Sequence, residues 1–243
     1  MDTHLHHDIQ PHHHDHDEKH FQSPDLLTDI VIGMSDGLTV PFALAAGLSG
    51  VVNSTSIILT AGIAEIIAGS IAMGLGGYLS GKTEIDHYNS ELKREYEETY
   101  LYPEREKEEV REVFEEYGLS KESQELIVEE LSKDRDKWVN FMMRFELGLE
   151  KPNEKRARLA AFNIGASYIV GGLVPLCPYV FIDNVQSAFL WSVVVTLIAL
   201  TIFGFLKSKV IGQSPWKGAL QTAMIGALAA ATAYLVAGFF HVG

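Results

Sequence analysis

Five stretches of this chain are apolar almost without interruption: Ile30–Val52, Ile57–Leu79, Leu159–Ile182, Ala188–Leu206 and Gly218–Phe240. Each is about 20 residues long, enough as a helix to span the roughly 30 Å hydrocarbon core of a bilayer. Buried helices of a large soluble protein are usually amphipathic, and strands are shorter and less rich in Ala, Gly and Leu. The pattern therefore predicts five transmembrane helices. Polar sequence divides the chain into a tail (1–29), a two-span unit (30–81), an insert (82–158) and a three-span unit (159–243). The expected fold class is an all-α membrane protein with a helical insert between helices two and three. Breaks in the insert are expected at Pro103, which suits the first turn of a helix, at Gly118-Leu119-Ser120 and at Ser132–Asp134.

Composition alters this picture little, because 47% hydrophobic residues and a mean hydropathy of +0.08 average over segregated runs. Charge adds an orientation. Lys82 follows span two, Lys155, Arg156 and Arg158 precede span three, and Lys207, Lys209 and Lys217 separate spans four and five. Asn53–Ser56 and Asp183–Ser187 carry no basic residue. Basic residues beside spans mark the cytosolic side, so the N-terminus and the insert are expected there and His241-Val-Gly on the opposite side. The net charge is −13, most of it carried by the insert, and no nucleic-acid partner is expected. Residues 1–29 are acidic and His-rich rather than basic then apolar, so no cleavable signal peptide is expected. Cys177 is the only cysteine, which rules out an internal disulfide.

Asp36 and Glu65 stand inside the first two spans. A charge at the bilayer centre costs roughly 2.5–3.5 kcal/mol even on a lenient scale, so each acid marks a candidate ion or proton pathway. Gly62, Glu65, Gly69, Met73 and Gly76 recur every three or four residues, a small and polar stripe that should face protein or water. Glu65 and Met73 are about 12 Å apart along a helix, two levels of one pathway rather than one coordination sphere. Pro41 cannot donate to the Gly37 carbonyl and should bend the first span one turn from Asp36. Gly171, Gly172, Pro175 and Pro178 should break or kink span three. With Gly37 and Pro41 they are the candidate hinge or gate residues. Thr222, Gly226 and Ala230 in span five read as helix packing.

In the insert, Glu95 and Glu98 share a helix face, as do Glu106 and Glu109, on either side of Tyr102-Pro103. Met142, Met143 and Glu146 follow at helical spacing. Carboxylates mixed with thioethers suit a transition metal better than Ca²⁺ or Mg²⁺, and iron-binding helical bundles use inward Glu from several helices. The same acids also read as a solvated face balanced by Lys93, Arg94, Arg105, Lys107 and Arg111. Glu91, Glu112, Glu115, Glu116 and Glu150 are expected on that solvated face.

Three segments resemble the signatures of a known family. They are Ser35-Asp-Gly-Leu-Thr-Val-Pro-Phe-Ala-Leu-Ala-Ala-Gly47, Gly62-Ile-Ala-Glu-Ile-Ile-Ala-Gly-Ser-Ile-Ala-Met-Gly-Leu-Gly-Gly-Tyr78 and Gly171-Gly-Leu-Val-Pro-Leu-Cys-Pro-Tyr179. They are similar to the vacuolar iron transporter family, and the resemblance covers all five spans and the insert. It implies a homodimer in the vacuolar membrane that moves cytosolic Fe²⁺, often Mn²⁺, into an acidic lumen in exchange for protons. Co²⁺ and Zn²⁺ are further candidate substrates, no catalytic cofactor is implied, and the lipid bilayer and protons are the other partners. By the matching motifs, Asp36 and Met73 are membrane metal ligands and Glu65 is the proton-coupled acid. Glu95, Glu98, Glu106, Glu109, Met142 and Glu146 form a cytosolic metal-binding domain, and spacing leaves the choice between Met142 and Met143 open.

The tail departs from the resemblance. It holds eight of the ten histidines, including His12-His13-His14, and neutral imidazole can collect divalent cations weakly. Deleting it is expected to alter capture at low metal without stopping transport. Two other classes compete with a transporter. One is a membrane-anchored di-iron carboxylate oxidase, weakened by the position of His87, the insert's only histidine, apart from the paired glutamates. The other is a metal sensor or buffer with passive spans, which Asp36 and Glu65 argue against.

Overall fold

The first apolar run folds as α1 (Pro24–Ser49) and the second as the start of α2 (Thr55–Leu101). The other three become α6 (Arg156–Phe181), α7 (Val185–Val210) and α8 (Pro215–His241). The computed structural model describes residues 24–241, so the part of the tail that holds its histidines lies outside the described residues. All five helices are long and apolar enough to cross a bilayer, and the described residues contain no strand. The protein is an all-α membrane protein. α1 begins ahead of its apolar run, which brings Asp29 inside the helix.

α2 does not stop where its apolar run ends. Residues 82–101 are mostly good helix formers, and pairs four apart such as Lys82–Asp86 (2.6 Å) and Lys93–Glu97 (3.7 Å) support the helix outside the bilayer. At 47 residues it is about 70 Å long, more than twice the thickness of a hydrocarbon core. The insert is built on this projecting shaft from α3 (Pro103–Glu116), α4 (Lys121–Ser132), α5 (Arg135–Phe141) and a π-helical turn, Met142–Glu146. Its breaks fall at Pro103, at Gly118 with φ +76°, and between Ser132 and Arg135. Ser120 and Asp134 cap α4 and α5 by accepting from the Ser123 and Lys137 amides. Val110, Val128, Trp138 and Met142 form one apolar cluster and Tyr88, Val139 and Met143 a second. In water, each such side chain contributes about 1.5–3 kcal/mol when fully buried.

Lipid removes that driving force, so the spans associate through close backbone approach. α6 lies against both α1 and α2. A Cβ at Gly37 would collide with the Tyr168 carbonyl, one at Gly171 would lie 2.9 Å from the Leu38 nitrogen, and one at Gly172 2.6 Å from Ile66. α6 continues unbroken through Pro175 and Pro178, and α1 through Pro41, so the expected break in span three is absent. The Ser192 hydroxyl of α7 donates to the Pro175 carbonyl at 2.7 Å and ties α7 to α6 at this level. α8 packs on α7 and α1 through Thr222, Gly226 and Ala230, with Gly226 against Leu200 and Ala230 beside Phe42. The outward residues Ile63, Ile67, Ile71 and Leu75 of α2 are exposed, as suits a lipid-facing surface.

Candidate metal sites in the insert and the spans

α2 and α3 meet at Tyr102-Pro103, and the turn there brings the acids of the two helices together. One carboxylate oxygen from each of Glu95, Glu98 and Glu106 lies within 4.8 Å of the others. Glu95 and Glu106 are 2% and 1% exposed, and Oε2 of each is buried without a hydrogen-bond partner. Burial first, then the charge of Glu146, pushes the Glu95 carboxyl up to about 7. Glu106 is likewise pushed up to about 7, by burial and then by Glu109. Glu146, on the solvent side of the cluster, is raised too, by partial desolvation and then by Glu109. All five expected glutamates therefore act on one another. A buried acceptor without a partner is costly, and a divalent cation would satisfy several of these oxygens at once.

Of the cations expected to balance the insert's acids, Arg94 and Arg105 reach the cluster. Arg94 lies 3.9 Å from Glu95 and 3.6 Å from Glu98, and Arg105 donates to Glu109 at 3.0 Å. Arg94 also holds Glu91 at 2.7 Å; at 17% exposure Glu91 is not on the solvated face expected for it. Glu112, Glu115, Glu116 and Glu150 are exposed as expected. Met142 packs with Val110, one turn from Glu106 on the same face of α3, whereas Met143 packs against Tyr88 and Val139. Both lie in the π-helical turn, where the Leu147 amide donates to the Met142 carbonyl at 3.0 Å. Glu84 and His87 form a Glu-x-x-His pair, but His87 is exposed and its nearest acid is Glu91, at 3.9 Å.

In the spans, Glu65 Oε1 accepts a hydrogen bond from the Tyr168 hydroxyl, and Oε2 is buried without a partner. Tyr168 is 2% exposed; its ring covers Gly69 of α2 and its carbonyl meets Gly37 of α1. Asp36 is half-buried and precedes Gly37, on which the Tyr168 carbonyl closes. Residues 30–81 hold no Lys or Arg. Met73 opens into a cleft of about 370 Å³ on the insert side, walled by Ile32, Gly76, Ser80, Glu84, Asp29 and Arg156. Asp36 lies one turn beyond Ile32 and does not line this cleft. At the wall, two Arg156 nitrogens donate to Asp29 at 2.9 Å each and Asn163 donates at 3.1 Å. Tyr168 and the Asp29–Arg156 pair escaped the sequence reading. A tyrosine buried in a span needs a partner for its hydroxyl, and that was the available signal.

Five spans, an acid in each of the first two and an acidic cluster on a projecting helix define a multi-pass membrane protein with candidate cation-binding groups in the spans and in the insert. The profile described as the VIT family matches residues 27–238. "Vacuolar iron transporter 1" of Oryza sativa subsp. japonica is 54% identical over 222 residues, covering 91% of this chain and 88% of that protein. The protein of the same name from Eucalyptus grandis is 54% identical over 219 residues, covering 90% and 88%. "Protein CCC1" of Saccharomyces cerevisiae is 38% identical over 224 residues, covering 88% and 69%. The chain belongs to the VIT family.

Proposed function

We propose that this protein is a homodimeric antiporter of the vacuolar membrane that moves cytosolic Fe²⁺ into the vacuole in exchange for protons. The names of its relatives support vacuolar iron transport, and a transporter rather than an enzyme. Mn²⁺ is a second substrate on this reading, with Co²⁺ and Zn²⁺ as further candidates. The insert and N-terminus face the cytosol and the C-terminus the lumen, as the distribution of Lys and Arg supports.

The observation that carries the reading is one continuous helix with Glu95 and Glu98 at its outer end and Met73 in a cleft below. Fe²⁺ is concentrated by Glu95, Glu98 and Glu106, with Glu109 and Glu146 adding charge. Met142 supplies the thioether, because it shares a cluster with Val110 on the face of α3 that carries Glu106. From Glu95 to Ser80 is about 22 Å along α2, and Glu84 stands on the way at the cleft wall. Met73 then favours a transition metal over Ca²⁺ and Mg²⁺, which prefer oxygen ligands and shed water less readily. Asp36 takes the metal deeper, and Glu65 exchanges it against a proton. Abundant protons on the acidic side release the metal, so the pH gradient drives uptake. Five spans leave little protein to enclose a path, which favours a dimer with the path near its interface.

The test is reconstitution in vesicles holding an internal pH dye, with Fe²⁺ added outside under reducing conditions. The reading expects metal uptake coupled to proton exit, and Glu65→Gln to uncouple the two. Iron binding without flux, or oxygen consumption on adding Fe²⁺, would instead favour the sensor or the di-iron oxidase.

A further inference from the structure

Tyr168 belongs to none of the three signature segments, yet it touches both of the first two spans. Its carbonyl closes on Gly37, the residue after Asp36, its ring covers Gly69, one turn from Glu65, and its hydroxyl donates to Glu65 Oε1. The side chain is nearly fully buried, so its ring has a fixed place and its hydroxyl one bonded acceptor. Glu65 Oε2 remains, buried and without a partner.

We infer that Tyr168 is a positioning residue for Glu65, holding Oε1 so that Oε2 is the carboxylate's single open acceptor. The inference rests on the reading of Glu65 as the proton-coupled acid. A glutamate free of this bond would sample several rotamers, and each exchange would require the carboxylate to be found and ordered again. With Oε1 held, a proton adds to and leaves from Oε2 while the side chain keeps one orientation. The Tyr168 hydroxyl can donate to Oε1 whether or not Oε2 carries the proton, because a protonated carboxyl still accepts through its other oxygen. The groups from the neighbouring helices are Tyr168 of α6, through its hydroxyl, and Asp36 of α1, next to the Gly37 that meets the Tyr168 carbonyl.

Tyr168→Phe keeps the ring that covers Gly69 and removes only the hydroxyl. Full-length protein reconstituted at equal amounts of folded material is expected to lose about tenfold in maximal Fe²⁺-driven proton exit, the effect of one charge-assisted hydrogen bond. Half-saturating Fe²⁺ is expected to stay within about twofold, since no metal ligand changes. The independent readout is the acid-induced infrared difference spectrum. There the carboxyl stretch assigned to Glu65 by its loss in Glu65→Gln is expected at higher frequency in Tyr168→Phe. Glu65→Asp, which withdraws the carboxylate from an intact Tyr168, is expected to reproduce the slowing. A native rate in either slowed variant, or an unshifted band in Tyr168→Phe, would overturn the positioning role while leaving Glu65 in place. Normal proton-coupled exchange in Glu65→Gln, or no band lost there, would remove the role of Glu65 itself.

Discussion

In the insert, Glu95 and Glu106 face each other with Arg94 and Arg105 at the edge of the cluster, whereas in the spans Glu65 has a tyrosine as partner and residues 30–81 hold no Lys or Arg. The insert folds in water around apolar clusters such as Val110, Val128, Trp138 and Met142, and that burial energy is available to crowd like charges. The spans have no such surplus. They are held by backbone contact at Gly37 and Gly171, and within residues 30–81 each helix carries a single acid. Crowding favours retention of a divalent cation, and isolation favours passing it on. The two regions therefore suit two steps, collection and translocation, and their difference can be probed by substitution.

The largest expected effect is at the mouth of the cleft. Among the described residues, Arg156→Gln leaves the buried Asp29 carboxylate with Asn163 as its remaining partner, and breaking a buried pair from one side costs about 3–5 kcal/mol. Thermal melting in detergent should fall sharply, and Asp29→Asn in the same chain should recover most of the loss. Gly37→Ala comes next, at roughly 1–3 kcal/mol, because its methyl group meets the Tyr168 backbone, which cannot rotate away. Gly76→Ala, with no atom within 4 Å of the new methyl, is the control and should melt within about 0.5 kcal/mol of the native chain. Glu106→Gln should leave the melt of the spans unchanged and weaken Mn²⁺ binding by about tenfold, measured by calorimetry on the whole protein.

The smallest effect is the dependence on pH. Glu95 and Glu106 titrate near about 7 when folded, against 4.5 for an ordinary glutamate. Between those values the folded metal-free insert holds protons that the unfolded chain has lost, so this contribution to stability is complete below the ordinary value. It is lost as pH rises through about 7. Metal binding runs the other way, because a proton must leave before the carboxylate can ligate. The metal-free protein should melt lower at about pH 8 than at about pH 6, and saturating Mn²⁺ should reverse that order.

The five spans were legible because length and apolarity alone decide them. The Glu95–Glu98–Glu106 cluster was legible because helical spacing put each pair on one face and Pro103 marked the turn between the pairs. Tyr168 was not, since its bond to Glu65 joins positions 103 apart in sequence. Asp29 was assigned to the tail because no local signal announces a partner 127 residues away. Gly171 and Gly172 illustrate a different limit. Glycine and proline in a span read equally as a bend and as a crossing point, and here both glycines lie against α1 and α2, so motion about them would have to break that contact.

The division of labour is tested most directly by Fe²⁺-driven proton exit from vesicles, measured across metal concentration for Asp36→Ala and Glu106→Gln. The account predicts no flux from Asp36→Ala at any concentration while its insert still binds iron, and a native maximal rate from Glu106→Gln with half-saturation moved to higher Fe²⁺. Native flux through Asp36→Ala, or a Glu106→Gln chain that fails to transport at saturating Fe²⁺, would contradict it.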